Sequence, residues 1–213
     1  MVISGKQLNG LCKVLTVFQD AVRMDYPVVV DDAHVMMCEV KQKPMFGIDS
    51  EYGLDIKEIL KMKIENEDFE VSIERERIIL KNENQTYSFS KVEEESLPAF
   101  KVPKFGEMEG TIETDAKTLR KAVDKCLLVS EYCIIQDGRM SAKDDVTNVS
   151  FVLGKDDGSG CRSFYSLEHL KKIAKVMTGD VKIYFGNDCP LKMCWCDGFY
   201  DYTAMLAQRI EQE

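Results

Sequence analysis

Thr114-Asp115-Ala116-Lys117-Thr118-Leu119-Arg120-Lys121-Ala122-Val123-Asp124-Lys125-Cys126-Leu127-Leu128-Val129 reads as a helix with two opposed stripes. Thr114-Asp115 is a start signal, because a short oxygen-bearing side chain accepts the orphan N–H groups of a first turn. Lys117, Lys121 and Lys125 stand at i, i+4 and i+8, with Arg120 one turn from the first, so their charges gather on the face opposite the apolar one. About 108 residues earlier, 6–22 has the same character. There Leu8, Leu11, Val14, Leu15, Phe18 and Val22 keep one helical face, and Lys13 and Arg23 extend a basic stripe. A second pair repeats at an offset of about 112: 54–64 carries Lys57 and Lys61, and 166–177 carries Lys171, Lys172 and Lys175. Two pairs at nearly one offset imply an internal duplication.

The duplication also sorts charge. The four windows hold 12 Lys and Arg against 6 Asp and Glu; the chain holds 28 against 37, so the remainder, 16 against 31, stands at −15. Positive charge gathered on repeated helices of an otherwise acidic chain implies two surfaces of opposite sign, one of them meeting a polyanion. The overall charge of −9 would by itself argue against nucleic acid, since affinity for phosphates comes from Lys and Arg. The local distribution overrides the average.

The 213 residues, 45% hydrophobic, suffice for two cores of roughly 100 residues each. Between the helices of the first copy, 28–30 and 34–40 read as strands of a hairpin turning at Asp31-Asp32, and 69–73, 77–80 and 86–89 read as a meander. Glu93-Glu94-Glu95, Pro98 and Pro103 then interrupt both periodicities. The expected division is a first domain at 1–91, a linker at 92–104 and a second domain at 105–213. In the second copy, 110–113, 132–135, 139–142, 147–153, 161–165, 181–185, 191–195 and 202–206 read as strands. The class is α+β, with two similar domains each setting two helices on antiparallel sheets. No apolar run approaches the roughly 18 residues needed to span a bilayer, and no signal-peptide order opens the chain, so an intracellular, soluble protein is expected.

Gly186-Asn187-Asp188-Cys189-Pro190-Leu191-Lys192, followed by Ala207-Gln208-Arg209-Ile210-Glu211, resembles a strand and the tail of the proliferating cell nuclear antigen (PCNA) family of sliding clamps. Asp32-Ala33-His34-Val35, Gly53-Leu54-Asp55-Ile56-Lys57 and Leu97-Pro98 extend the resemblance, in order, over almost the whole chain. It departs where the tail proline of the family is replaced by Gln208, and in its short linker and trimmed loops. The resemblance implies the DNA clamp fold and a ring of three subunits, with helices lining a hole that encircles duplex DNA and sheets outside. It implies a processivity factor, not an enzyme, that tethers DNA polymerase, is placed by a clamp loader and serves replication and repair enzymes, in the cytoplasm of a prokaryote or the nucleus of a eukaryote. It also implies a docking pocket for short partner motifs at Val30, His34, Val35, Leu97, Pro98, Pro190, Met205, Ala207 and Gln208, and a homotrimer closed through strands 85–91 and 147–153. The alternative is a non-ring or heteromeric interaction protein of the same fold that binds or sequesters clamp partners.

Catalytic and metal chemistry find little support. Cys194 and Cys196 alternate onto one strand face near Cys189, but no second pair with zinc-like spacing follows, so buried thiols are expected and no metal or cofactor. His34 and His169 are the two histidines, and neither stands in a nucleophile constellation; His169, on a basic helix, is a candidate phosphate contact. The glycines of 156–160 lack the lysine and helix of a nucleotide loop.

Overall fold

A computed structural model describes residues 2–23, 28–41, 52–93, 96, 97, 100, 102, 108–155, 160–187 and 189–209. The chain forms two compact units. The first comprises the chain through Asp32 and again Cys38–Val102; the second comprises Ala33–Met37 and everything after Val102. Segment 33–37, expected in the first domain, thus belongs with the second.

The element order of the two halves is the same. The first half runs β1 (Val2–Ser4), α1 (Gly5–Leu15), β2 (Ala21–Arg23), β3 (Val28–Val30), β4 (Met36–Val40), β5 (Gly53–Asp55), α2 (Ile56–Lys61), β6 (Asp68–Ile73), β7 (Arg77–Lys81) and β8 (Thr86–Val92). The second runs β9 (Gly110–Asp115), α3 (Ala116–Cys126), β10 (Tyr132–Gln136), β11 (Arg139–Lys143), β12 (Asn148–Val152), β13 (Arg162–Ser166), α4 (Leu167–Val176), β14 (Asp180–Phe185), β15 (Leu191–Cys196) and β16 (Asp201–Leu206). Gly5 and Ala116 open the first helices and Ile56 and Leu167 the second, both pairs 111 residues apart (116 − 5 and 167 − 56). The same shift carries the pairing Ala21 with Asp55 onto Tyr132 with Ser166. The duplication therefore extends to strand register.

In the first unit one antiparallel sheet has the order β1-β6-β7-β8-β5-β2. In the second, β12-β11-β10-β13 form one sheet, and β16, β15, β14 and β9 lie side by side in another. Helices cover one face of each. In α3, Ala116, Leu119, Ala122, Val123 and Cys126 are buried at helical spacing, and in α4 Leu167, Leu170, Ile173 and Ala174 are. Each fully buried Leu or Ile contributes about 1.5–3 kcal/mol. Asp115 caps α3 by accepting from the N–H groups of Lys117 and Thr118 at 2.9 Å each, and Asp55 caps α2 from Lys57 and Glu58 at 3.1 Å each.

The helices are shorter than periodicity predicts. α1 stops at Leu15, and Val22 and Arg23 lie on β2, where Val22 pairs with Leu54. Arg23 thus extends a strand and not the helical stripe. Periodicity merged these elements because an apolar residue on a three-residue strand can fall in phase with the neighbouring helix. β1, β2 and β5, three residues each, are too short to display a period of two of their own.

Candidate functional site

Each unit sets its two helices side by side with their lysines outward. In the second unit Lys117, Lys121, Lys125, Lys171, Lys172 and Lys175 are all exposed. Lys171 pairs with Asp124 across the helices at 3.1 Å, and Lys172 with Glu168 at 3.3 Å. Among the described residues, Lys117, Lys121, Lys125 and Lys175 have no carboxylate within 4 Å. Arg120 departs from the stripe expected of it. It is half-buried, and its Nη1 donates to the carbonyl oxygens of Met177 at 2.8 Å and Ala174 at 3.3 Å. The guanidinium thereby satisfies orphan acceptors at the C-terminal end of α4, where a cation is also favoured by the helix dipole. Sequence spacing could not reveal this, because the acceptors lie more than fifty residues away.

In the first unit the same position, 111 residues earlier, is Asn9, which is 4% exposed and donates to Glu65 just beyond α2. Lys13 also bonds Glu65, at 2.7 Å. The Lys13 ammonium, and after it Asn9, hold the Glu65 carboxyl below the usual carboxylate range. Lys57 pairs with Asp20 at 2.9 Å, which raises its own affinity for a proton, and Lys61 pairs with Glu58 one turn back. Every helix lysine singled out here by sequence is therefore engaged by a carboxylate. Taken together, the four helices carry eleven basic and three acidic residues, leaving seventeen against thirty-four, a charge of −17, in the rest of the chain.

The expected docking residues divide between the units. In the second, the Ala207 N–H donates to the Val35 carbonyl at 2.8 Å, and the Arg209 N–H to Phe164 at 2.9 Å, so the tail beyond β16 is fastened at both ends. Met205 is buried, Pro190 and Gln208 are half-buried, Ala207 is exposed, and Leu191 pairs with Leu206 to bring Pro190 alongside. His34 is exposed with φ of 56°, a left-handed turn conformation. In the first unit Val30 is buried on β3, and Leu97 is 6% exposed because it seats on Gly53: a Cβ there would lie 1.9 Å from its Cδ1. Pro98 lies outside the described residues, as do Asp188, Ile210, Glu211 and 156–159.

The thiol expectation requires correction at β15. Leu191, Met193 and Trp195 take the core face of that strand, so Cys194 is half-buried and Cys196 exposed, while Cys12, Cys38, Cys126, Cys133 and Cys161 are buried. Among the described residues no group of three or more His, Cys, Asp or Glu could hold a metal ion. His169 is half-buried, its Nδ1 2.9 Å from Ser166 Oγ. No described helix is long and apolar enough to cross a membrane.

No sequence-family model matches the chain, and no curated protein matches it. Solved structures do. A chain of the complex of A. fulgidus PCNA with the C-terminal region of FEN-1 superposes with TM-score 0.87 at 23% identity, over 100% of this chain and 98% of that one. The fold is that of the PCNA sliding clamp. PCNA of Thermococcus kodakaraensis follows at TM-score 0.79 and 18% identity, over 98% and 99% of the two chains. A chain of the PCNA2–PCNA3 complex of Sulfolobus tokodaii matches at 0.76 and 16%, over 99% and 100%.

Proposed function

We propose that this chain is a subunit of a DNA sliding clamp, a non-enzymatic ring that encircles duplex DNA and keeps polymerase and other replication or repair enzymes beside it. The observation that carries this reading is the row Lys117, Lys121 and Lys125 beside Lys175 on paired helices, unpaired to any described carboxylate, in a chain otherwise at −17. Such a row attracts phosphates without reading bases, as a sliding protein requires. Retention then comes from topology, and tethering raises the effective concentration of the enzyme at its template.

Closure is assigned to β8 and β12. β12 is the edge of its sheet, and residues 86–90 of β8 pair with β7 while β5 reaches only Lys91 and Val92. The duplication supports joining them between copies: β16 and β4 are the counterparts of β8 and β12, and Ala207, just after β16, is bonded to Val35, just before β4. Exposed Val152 on β12 and Val146 beside it supply apolar area for that contact. Partner motifs would dock on the tail-fastened surface of Val35, Pro190, Ala207 and Gln208; that the structurally similar A. fulgidus PCNA binds the C-terminal region of FEN-1 supports a partner-docking role. The compartment follows from this role as intracellular.

The mass in solution separates this reading from a clamp-fold interaction protein that never closes. A ring gives three times the 24.3 kDa chain mass at micromolar concentration by light scattering. A concentration-independent monomer rejects it.

A further inference from the structure

The outward face of the β12-β11-β10-β13 sheet breaks the pattern of an acidic exterior. Its four strands contain no carboxylate, and their inward residues, among them Cys133, Ile135, Met140 and Tyr165, are buried. Register places the outward residues in rows. Gln136 lies between Arg162 and Arg139, and Arg139 opposite Val152; Ile134 lies between Phe164 and Ser141; Tyr132 lies opposite Ser166 and Lys143 opposite Asn148. Two rings therefore stand on adjacent strands with cations on both sides. Each ring also carries a guanidinium: Arg209 lies 4.0 Å from the centre of Tyr132, and Arg162 lies 4.6 Å from that of Phe164. Arg139 is oriented by Ser150 at 2.9 Å. Among the described residues, carboxylates beside this sheet are confined to connecting turns: Asp137 at one end of the strands, Glu131, Asp144 and Asp145 at the other, with Asp144 occupied by the N–H groups of Val146 and Thr147.

We propose that this face binds single-stranded nucleic acid running across the strands, with bases stacked on the arginine-backed Tyr132 and Phe164 and phosphates held by Arg139, Lys143, Arg162 and Arg209. Four strands at about 4.8 Å spacing give a platform of roughly 14 Å across the sheet, room for a few nucleotides. Flat rings and guanidinium planes accept any base, and the interleaved cations follow a backbone, which is how sequence-tolerant single-strand sites are built. Charge alone would also suit an acidic peptide; the paired stacking planes favour bases. The first unit lacks the site. At the counterparts of Tyr132, Phe164 and Ser166 it has Ala21, Gly53 and Asp55, with Leu97 covering the glycine. The site lies on the opposite side of its sheet from α3 and α4, so it stands or falls separately from the encirclement of duplex.

The test is fluorescence anisotropy of the full chain with a labelled oligothymidylate of about 20 nucleotides at roughly 50 mM salt. R139E/R162E should weaken binding about tenfold or more, Tyr132→Ala several-fold, and Tyr132→Phe hardly at all, with circular dichroism and melting unchanged. K121E/K125E, on the helices, should leave this affinity within about twofold while impairing retention on duplex. The proposal is overturned if the parent shows no saturable binding, if R139E/R162E binds like the parent, or if a glutamate-rich peptide of matching charge binds more tightly than the oligonucleotide.

Discussion

The two units repeat one element order at a constant shift, yet their helix faces differ in charge. Lys117, Lys121 and Lys125 of α3 correspond to Lys6, Gly10 and Val14 of α1, so two of three cations are missing from the first copy. The other helix lysines of that copy, Lys13, Lys57 and Lys61, are met by Glu65, Asp20 and Glu58. Such exposed pairs are worth about 0–1 kcal/mol and yield readily to phosphate, but their carboxylates remain and lower the local potential. The link between helices, by contrast, is kept with different chemistry. Asn9 to Glu65 and Arg120 to the end of α4 occupy one position, and the ion pair beside it reverses sign, Lys13 with Glu65 against Asp124 with Lys171. Packing geometry is thus alike in the two copies while helix charge differs, so under the proposed function the second unit carries the main polyanion surface.

The largest expected effect tests that asymmetry. K117E/K121E/K125E should lower the slope of log affinity for duplex against log salt by about 3, roughly 0.9 for each phosphate contact removed. K13E/K57E/K61E should lower it by about 1 or less, because those lysines are already opposed. Equal slopes in a salt titration would erase the distinction.

Next in size is a packing difference. A Cβ on Gly5 would lie 1.7 Å from the Ile64 carbonyl oxygen and 2.6 Å from that of Glu67, whereas its counterpart Ala116 is accommodated at 2% exposure. Gly5→Ala should therefore destabilise by about 2–3 kcal/mol, read from the urea midpoint, because backbone and not a flexible side chain must move. A midpoint like that of the parent would mean the close approach is not what the first unit requires.

The last effect concerns thiols and is confined to alkaline pH. Burial raises the pKa of Cys12, Cys38 and Cys133, and pushes Cys126 up to about 11. A folded thiol that holds its proton contributes stability fully present below the unfolded pKa of about 8.5 and lost as pH rises toward the folded value. For Cys126 that window runs from about 8.5 to about 11, with a slope of at most about 1.4 kcal/mol per pH unit. Cys126→Ala should flatten the alkaline decline of the urea midpoint by that share. An unchanged decline would show that Cys126 does not carry it.

Much of this was legible in the chain. Helical periodicity located all four helices to within several residues, and the six-residue α2 was found because Ile56, Ile59 and Leu60 still mark a face. The three-residue β3 is legible, whereas β1, β2 and β5 escape, Val22 on β2 and Leu54 on β5 because they fall in phase with the neighbouring helices. The basic stripe was visible at Lys117, Lys121 and Lys125, but Arg120 was misassigned: its partners are carbonyls, which leave no trace in composition. The pairing of Lys13 and Lys57 was equally hidden, because Glu65 and Asp20 are distant in sequence. Of the two stacked arginines of the second unit, Arg209 depends on the path of the tail, set by its bond to Phe164.

The most direct measurement compares retention on a closed circular duplex with retention on the same duplex after linearisation, in salt high enough to suppress phosphate contacts. A topological ring stays on the circle and is lost through the free ends. Equal retention on both forms would contradict encirclement and leave the lysine row as an ordinary electrostatic surface.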